Sequence, residues 1–290
     1  MLIFHRRLPT FEYARPKDEA ELFSILSGQA RALVFAGGTD IIPRLKKRLI
    51  EPPSVLVDLK GLPHMGEITS DRDTLRIGAT ATIHRVCTSD LVRRSVPILS
   101  EAASTIGSIQ VRNRGTVVGN VCSAVPSADS APALLVLDAK LLLKSKGGER
   151  SVALDEFFLG PQRTCLRQGE IVKEIQIPLM DGAKGTYIKL TQRARLDLAI
   201  VGVAVLLHMT DGRFRFVRIG IGACAPTPIR ARRAEELLAG QRPEPKLIDE
   251  ASRLASEETS PIDDHRASEV YRRLMVEALV RRALTRLIGG

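Results

Sequence analysis

An α+β fold is what this sequence predicts, and three observations carry the prediction. Two apolar stretches, 201–209 and 214–221, flank Asp211-Gly212, the pattern of a long-armed β-hairpin closed by a type I′ turn. Residues 267–287 hold Val270, Leu274, Ala278 and Leu279 at helical spacing, which predicts an amphipathic helix. Near the other end, Leu33-Val34-Phe35 leads straight into Ala36-Gly37-Gly38-Thr39-Asp40, a strand ending in a tight turn. A chain of 290 residues can bury a sizeable core and form two or three domains.

In chain order, residues 1–55 read as a small α/β unit. After Pro16, residues 19–27 place Ala20, Leu22, Phe23 and Leu26 on one helical face, with Gly28 as the stop. The strand 32–35 and its glycine turn follow, then a short helix over 41–49 ended by Pro52-Pro53 and a strand at 54–59. A second unit, 56–178, opens with a strand at 75–79, a helix at 82–87 and a helix from Pro97 toward Ser108. Small and polar residues then dominate 104–130, a stretch that reads as the lining of a site. Beyond it lie an apolar run at 133–137, a strand at 140–144 entering Lys146-Gly147-Gly148, and a short segment at 152–158 tucked against the sheet. Glu174-Ile175-Gln176-Ile177 alternates in phase with Ile171, making a strand that Pro178 closes. The third unit, 179–290, holds the hairpin and then helices at 231–238, 247–255 and 267–287.

Composition narrows the functional classes. Hydrophobic content of 44% and charged content of 26% are ordinary for a globular protein. No run approaches the roughly 18 apolar residues of a membrane span. The start, Met1-Leu2-Ile3-Phe4-His5-Arg6-Arg7, puts its charges after its apolar residues, unlike a secretory signal, so the expected location is cytoplasmic. A formal net charge of +10 suits nucleic acid, an anionic cofactor or an acidic partner protein. The basic residues are scattered, and the three Tyr and eight Phe do not interleave with them, which argues against nucleic acid. Arg272, Arg273, Arg281, Arg282 and Arg286 make the last helix basic, either a surface for an acidic partner or a solvated face. Cysteines at 87, 122, 165 and 224 and five isolated histidines match no zinc or iron–sulfur pattern, so free thiols and no metal are expected.

Chemistry concentrates in two glycine-bearing segments, Ala36-Gly37-Gly38-Thr39-Asp40 and Thr116-Val117-Val118-Gly119-Asn120. Peptide N–H groups in such turns can approach a phosphate closely, and two of them could grip one diphosphate from two sides. Neither is the G-x-G-x-x-G fingerprint or the G-x-x-x-x-G-K-[ST] loop, and each taken singly reads more readily as an ordinary turn. Asp40, Asp58, Asp129 and Asp197 are compatible with caps or salt bridges. No nucleophile, base and oxyanion site can be assembled from the sequence. Loops, amide donors and positive charge instead suit an anionic cofactor that brings its own reactivity.

The first glycine turn, then Ile109-Gln110-Val111-Arg112-Asn113-Arg114-Gly115-Thr116-Val117-Val118-Gly119-Asn120, then Ala124-Val125-Pro126-Ser127-Ala128-Asp129, resembles the FAD-binding medium subunits of the molybdenum hydroxylases. The resemblance continues through Phe158-Leu159-Gly160-Pro161, Glu170-Ile171, Tyr187-Ile188-Lys189, Arg193 and Asp197-Leu198-Ala199-Ile200-Val201. It ends on Gly220-Ile221-Gly222 and Ala225-Pro226-Thr227-Pro228-Ile229-Arg230. It implies a two-part FAD-binding region of the PCMH/vanillyl-alcohol-oxidase type, followed by a C-terminal domain with a small antiparallel sheet and helices.

By that resemblance the FAD diphosphate lies between Ala36, Gly37, Gly38, Thr39 and Asp40 on one side and Thr116, Val117, Val118, Gly119 and Asn120 on the other. Asp129 matches an aspartate that contacts the sugar-alcohol part of the cofactor, and Lys189 matches a lysine near the isoalloxazine ring. Without the resemblance, Lys189 reads as a surface residue. The family's second loop usually reads T-I-G-G-N, and Val118 departs from it; an extended backbone is expected there, with the β-branched side chain able to crowd the diphosphate. The cysteine-rich insert that carries a four-iron cluster in some relatives is missing, so this chain is expected to hold flavin only. Molybdopterin on a large subunit and two 2Fe–2S clusters on a small one are implied as partners, in a dimer of heterotrimers that hands electrons to an external acceptor. Two rivals stand beside this reading: a stand-alone FAD-dependent oxidase, and a non-enzymatic module that binds nucleic acid or an acidic protein.

Overall fold

Three sheets and one small ribbon carry the architecture of the computed structural model, which describes residues 7–193 and 196–289. The N-terminal stretch read above for signal character lies mostly outside the described residues. In the first sheet, Glu12–Ala14 and Ala32–Phe35 flank Val55–Asp58, all parallel. Parallel neighbours need crossovers, and the helices Glu19–Gly28 and Ile41–Lys46 supply them. Asp18 caps the first helix, accepting from the Glu21 N–H at 2.8 Å. Leu22, Phe23 and Leu26 are its buried face, each worth about 1.5–3 kcal/mol when fully buried. The second helix stops at Lys46 rather than reaching 49, because Arg48 takes a φ of 59°, outside the helical region.

The second sheet is antiparallel, in the order Ile68–Ser70, Thr74–Gly78, Ile171–Pro178, Lys140–Ser145, Gly148–Ala153. Six short helices fill the connection inside it: Ile83–Thr88, Asp90–Ser95, Pro97–Ser104, Ile109–Arg114, Val117–Cys122 and Ser130–Val136. The helix expected to run from Pro97 toward Ser108 ends at Ser104, and the turn beyond it has Gly107 at a φ of 50°. Much of 104–130, read as the lining of a site, is helical. Four of these helices start at a Ser or Thr, with Thr82, Ser89, Ser108 and Thr116 each accepting from the N–H three residues on.

The third sheet runs Lys184–Leu190, Val201–Thr210, Arg213–Gly222, Ile229–Arg230, again antiparallel. Asp211 and Gly212 have φ of 52° and 70°, the two positive values a type I′ turn requires. Tyr187, Ala204 and Leu206 join the core shared with the second sheet, whereas Val203, Val205 and Leu207 pack with Val276, Val280 and Leu284 of the last helix. A sheet covered on both faces explains the unbroken apolar run after Ile200. Gly220 seals the inner face: a Cβ there would press on the Pro132 carbonyl, so the helix Ser130–Val136 rests directly on the strand.

The last helix, Glu269–Gly289, corrects one expectation. Its buried face is Val276, Leu279, Val280, Ala283 and Leu284, while Val270 and Leu274 are 68% and 56% exposed. Arg272, counted among its basic surface residues, is buried, pairing with Asp264 at 2.7 Å and donating to the carbonyls of Ile200 and Ala223. Arg273 and Arg281 are paired as well, with Glu269 and with Asp249 and Glu277. The cysteines are free thiols. Among the described residues no group of His, Cys, Asp or Glu could hold a metal ion, and no helix is long and apolar enough to cross a membrane.

Candidate cofactor site

The first glycine turn lies past the end of the Ala32–Phe35 strand, at the carboxyl edge of the parallel sheet where ligands of such sheets gather. Gly38 has a φ of 74°, open to glycine at no cost. Gly37 is required for another reason. A Cβ on it would overlap the Arg114 carbonyl oxygen and lie 2.6 Å from Gly115 Cα. The first glycine segment is therefore in backbone contact with the residues that lead directly into the second. Ser123 ties them again, donating to Asp40 Oδ2 at 3.2 Å from the far end of the second segment. Arg44 lies 3.5 Å from the same Asp40 oxygen and donates to Gln162 Oε1 at 2.5 Å.

The second segment is a helix start. Thr116 is its N-cap, with Oγ1 accepting from the Gly119 N–H at 3.0 Å, and Val117–Cys122 is helical. The extended backbone expected at Val118 is overturned: the residue is helical and its side chain is 4% exposed within the core. A β-branched side chain there fills the core and does not face a ligand in the turn. Thr116 is also buried, its hydroxyl engaged by the cap. Gly119 and Asn120 are the half-exposed members, and Asn120 Oδ1 accepts from Ser130 Oγ at 2.6 Å. Among the described residues, the N–H groups of Gly38, Thr39 and Val118 donate to no acceptor in the chain.

Ser130 leads to the third predicted residue. Asp129 precedes the helix Ser130–Val136 without capping it. Its two carboxylate oxygens accept instead from Tyr187 OH and Lys189 Nζ, both at 2.8 Å. Tyr187 and Lys189 are two residues apart on one strand and so share a face. Lys189 also donates to the Thr105 carbonyl at 3.1 Å, and its side chain is only 9% exposed, not a surface residue. Burial pushes the Asp129 carboxyl above its ordinary value, against the opposing pull of the Lys189 charge and the two hydrogen bonds. Burial likewise pushes the Tyr187 hydroxyl well up, with the Asp129 charge adding to it. The site therefore favours a protonated Tyr187 that donates to the carboxylate.

Beyond Lys189 opens a cleft of roughly 740 Å³ bordered by Thr105, Ser108, Gln110, Arg112, Lys189 and Arg193. Ile109 and Leu196, both more than half exposed, stand on its apolar margin. The two glycine segments, Asp129 and Lys189 thus lie along one run, linked by the contact of Gly37 with Gly115, the Ser130–Asn120 hydrogen bond and the Asp129–Lys189 pair, with Val118 turned into the core. The sequence reading missed Tyr187 as a partner of Asp129, although its place two residues before Lys189 was a usable signal. It also missed Lys60, which donates to the Ala36 carbonyl at 2.6 Å and which no local pattern marks. Asp58 and Asp197 do make the caps and salt bridges that the sequence allowed, with Lys60 and Arg193.

Comparison with known proteins assigns the chain to a family. Residues 9–180 match the family described as the FAD binding domain in molybdopterin dehydrogenase, and 186–287 match the CO dehydrogenase flavoprotein C-terminal domain. The chain is 33% identical to the glyceraldehyde dehydrogenase medium chain of Sulfolobus acidocaldarius, over 95% of this chain and 97% of that one. It is 31% identical to the carbon monoxide dehydrogenase medium chain of Hydrogenophaga pseudoflava, over 95% and 96%. Among solved structures, carbon monoxide dehydrogenase of Hydrogenophaga pseudoflava superposes with a TM-score of 0.94 at 32% identity, covering 98% of this chain and 99% of that one. Quinoline 2-oxidoreductase of Pseudomonas putida 86 gives 0.93 at 30%, with the same coverage. Fold and site define an α+β flavoprotein with a PCMH-type FAD-binding region and a C-terminal domain of small sheet and helices. The chain belongs to the FAD-binding medium subunits of the molybdenum hydroxylases, as the electron-transfer flavoprotein subunit of an oxidoreductase complex.

Proposed function

We propose that FAD lies along the run of residues just described, its diphosphate held by Ala36–Asp40 and Thr116–Asn120 and its ring end directed to Asp129, Lys189 and the cleft. One observation carries this: Gly37 packs on Arg114 and Gly115, so both glycine segments border one place. The residues fit such a group. Undonated amides at Gly38, Thr39 and Val118 are the donors a diphosphate needs. Bound FAD supplies electron chemistry in single or paired steps. This chain's contribution is to orient: Lys189 stands fixed by Asp129 and Thr105 at the edge of the cleft.

In this reading substrate oxidation occurs on a separate large subunit carrying molybdopterin, and electrons reach this chain through two 2Fe–2S clusters of a small subunit. The assembly is a cytoplasmic dimer of heterotrimers that passes electrons to an external acceptor. The supporting facts are the relatives' names, which call them medium chains. Co-purification with products of neighbouring genes, followed by absorbance, tests it. Flavin and iron–sulfur bands in one complex are expected. A colourless chain that binds no partner contradicts it.

A further inference from the structure

Lys60 sits behind the first glycine turn in a built environment. Its Nζ donates to the Ala36 carbonyl at 2.6 Å and to Asp58 Oδ1 at 2.7 Å, and lies 4.3 Å from the centre of the Phe35 ring. Asp58 is fixed in turn by Tyr13, whose OH donates to Oδ2 at 2.8 Å, and by the Lys60 N–H at 2.9 Å. Burial works to raise the Asp58 carboxyl, but the hydrogen bonds from Lys60 and Tyr13 outweigh it and hold it below its ordinary value. The carboxylate is therefore charged and anchors the ammonium. Three strands contribute to this arrangement, all at the edge from which the glycine turn emerges.

The peptide unit joining Ala36 to Gly37 is planar and trans, so its C=O and N–H point in opposite directions. Pinning the carbonyl on Lys60 turns the Gly37 N–H away from Lys60. We propose that Lys60 is a positioning residue for the cofactor's diphosphate, setting the orientation of the first peptide of the cradle. This rests on the FAD site proposed above. A charge-assisted hydrogen bond of this kind is worth enough to change affinity about tenfold or more.

The test uses the full chain freed of flavin, with FAD affinity read by fluorescence and ADP affinity by competition. ADP carries the diphosphate without the flavin. Lys60→Met is expected to weaken FAD and ADP by the same factor, about tenfold, and Lys60→Arg to restore most of the loss. Unchanged FAD affinity in Lys60→Met overturns the proposal, as does a loss for FAD that ADP does not share. If Lys60→Met does not fold, Tyr13→Phe carries the test: it loosens Asp58 and should weaken both ligands by a smaller common factor, and no change overturns the proposal. Gly37→Val separates the two claims. Lost FAD binding there with normal binding in Lys60→Met removes only the Lys60 role, whereas normal binding in Gly37→Val removes the cradle itself and Lys60 with it.

Discussion

Asp129 and Lys189 form a buried ion pair at 2.8 Å, with side chains 7% and 9% exposed, linking a helix start of the second sheet's connection to a strand of the third sheet. The pair is neutral as a whole, so Lys189 acts on its surroundings as one end of a dipole rather than as an isolated cation. Both Asp129 oxygens are engaged within the protein. Hydroxyls of a cofactor would have to share their remaining lone pairs.

Removing either partner should therefore have opposite effects. Lys189→Met strips Asp129 of the charge that opposes the upward push of burial. The carboxyl then takes up a proton at higher pH. The flavin potential of this variant should match the parent's at low pH and fall below it as pH rises and Asp129 ionises. Asp129→Asn leaves Lys189 uncompensated and should raise the potential. Potentiometric titration of both variants across pH checks this, and a pH-independent offset in Lys189→Met contradicts it.

Gly37 substitutions should act before any cofactor arrives. A Cβ at this position meets the backbone of Arg114 and Gly115, so the first casualty is the contact between the two segments. Gly37→Ala should destabilise the flavin-free protein by about 1–3 kcal/mol, the range for overpacking, and Gly37→Val more. Denaturant unfolding of the flavin-free variants reads this directly. A variant as stable as the parent that still loses FAD would point to the phosphate, not the neighbouring loop, as the group displaced.

Val118→Gly, which restores the paired glycines of the usual family loop, should lower stability without improving FAD retention. The substitution empties a core position and places glycine inside a helix. Together these cost roughly 2–4 kcal/mol. Thermal unfolding and a flavin-to-protein ratio measure the two halves of the prediction.

The C-terminal domain carries an acid-sensitive element. Burial works to raise the Asp264 carboxyl, but hydrogen bonds from Arg266 and the charges of Arg266 and Arg272 hold it far below its ordinary value of 3.8. A carboxyl depressed in the folded state adds stability that is complete above the unfolded value and disappears as pH falls below it toward the folded one. Asp264→Asn should thus be destabilising at neutral pH and show a flatter acid limb than the parent. Urea midpoints measured from pH 7 down to pH 2 decide it. Parallel curves for the two proteins would mean Asp264 is not the group responsible.

Long periodic elements were legible in the sequence, as were the short strand at 32–35 and the helix near 82–87, whereas three further short helices were not. The hairpin and the Ile171–Pro178 strand lie where apolar spacing puts them, because many residues repeat one period. Helices Asp90–Ser95, Ile109–Arg114 and Val117–Cys122 have six residues each, too few for a period to emerge from composition. Their Ser and Thr caps were the readable sign. On the last helix, Val270 and Leu274 suggested the wrong face, since the face turned to the third sheet is the one that carries Arg272 and Val276. Of the site, the glycine segments were visible, but their mutual contact, the Asp129–Lys189 pair and the role of Lys60 depend on residues distant in sequence.

The most direct test is a crystal structure of the full chain with FAD. It should place the diphosphate within hydrogen-bond reach of the Gly38 and Thr39 amides and of the first turn of the Val117–Cys122 helix, with the flavin ring end toward Lys189. A diphosphate bound away from the junction of Gly37 with Gly115 would contradict the account.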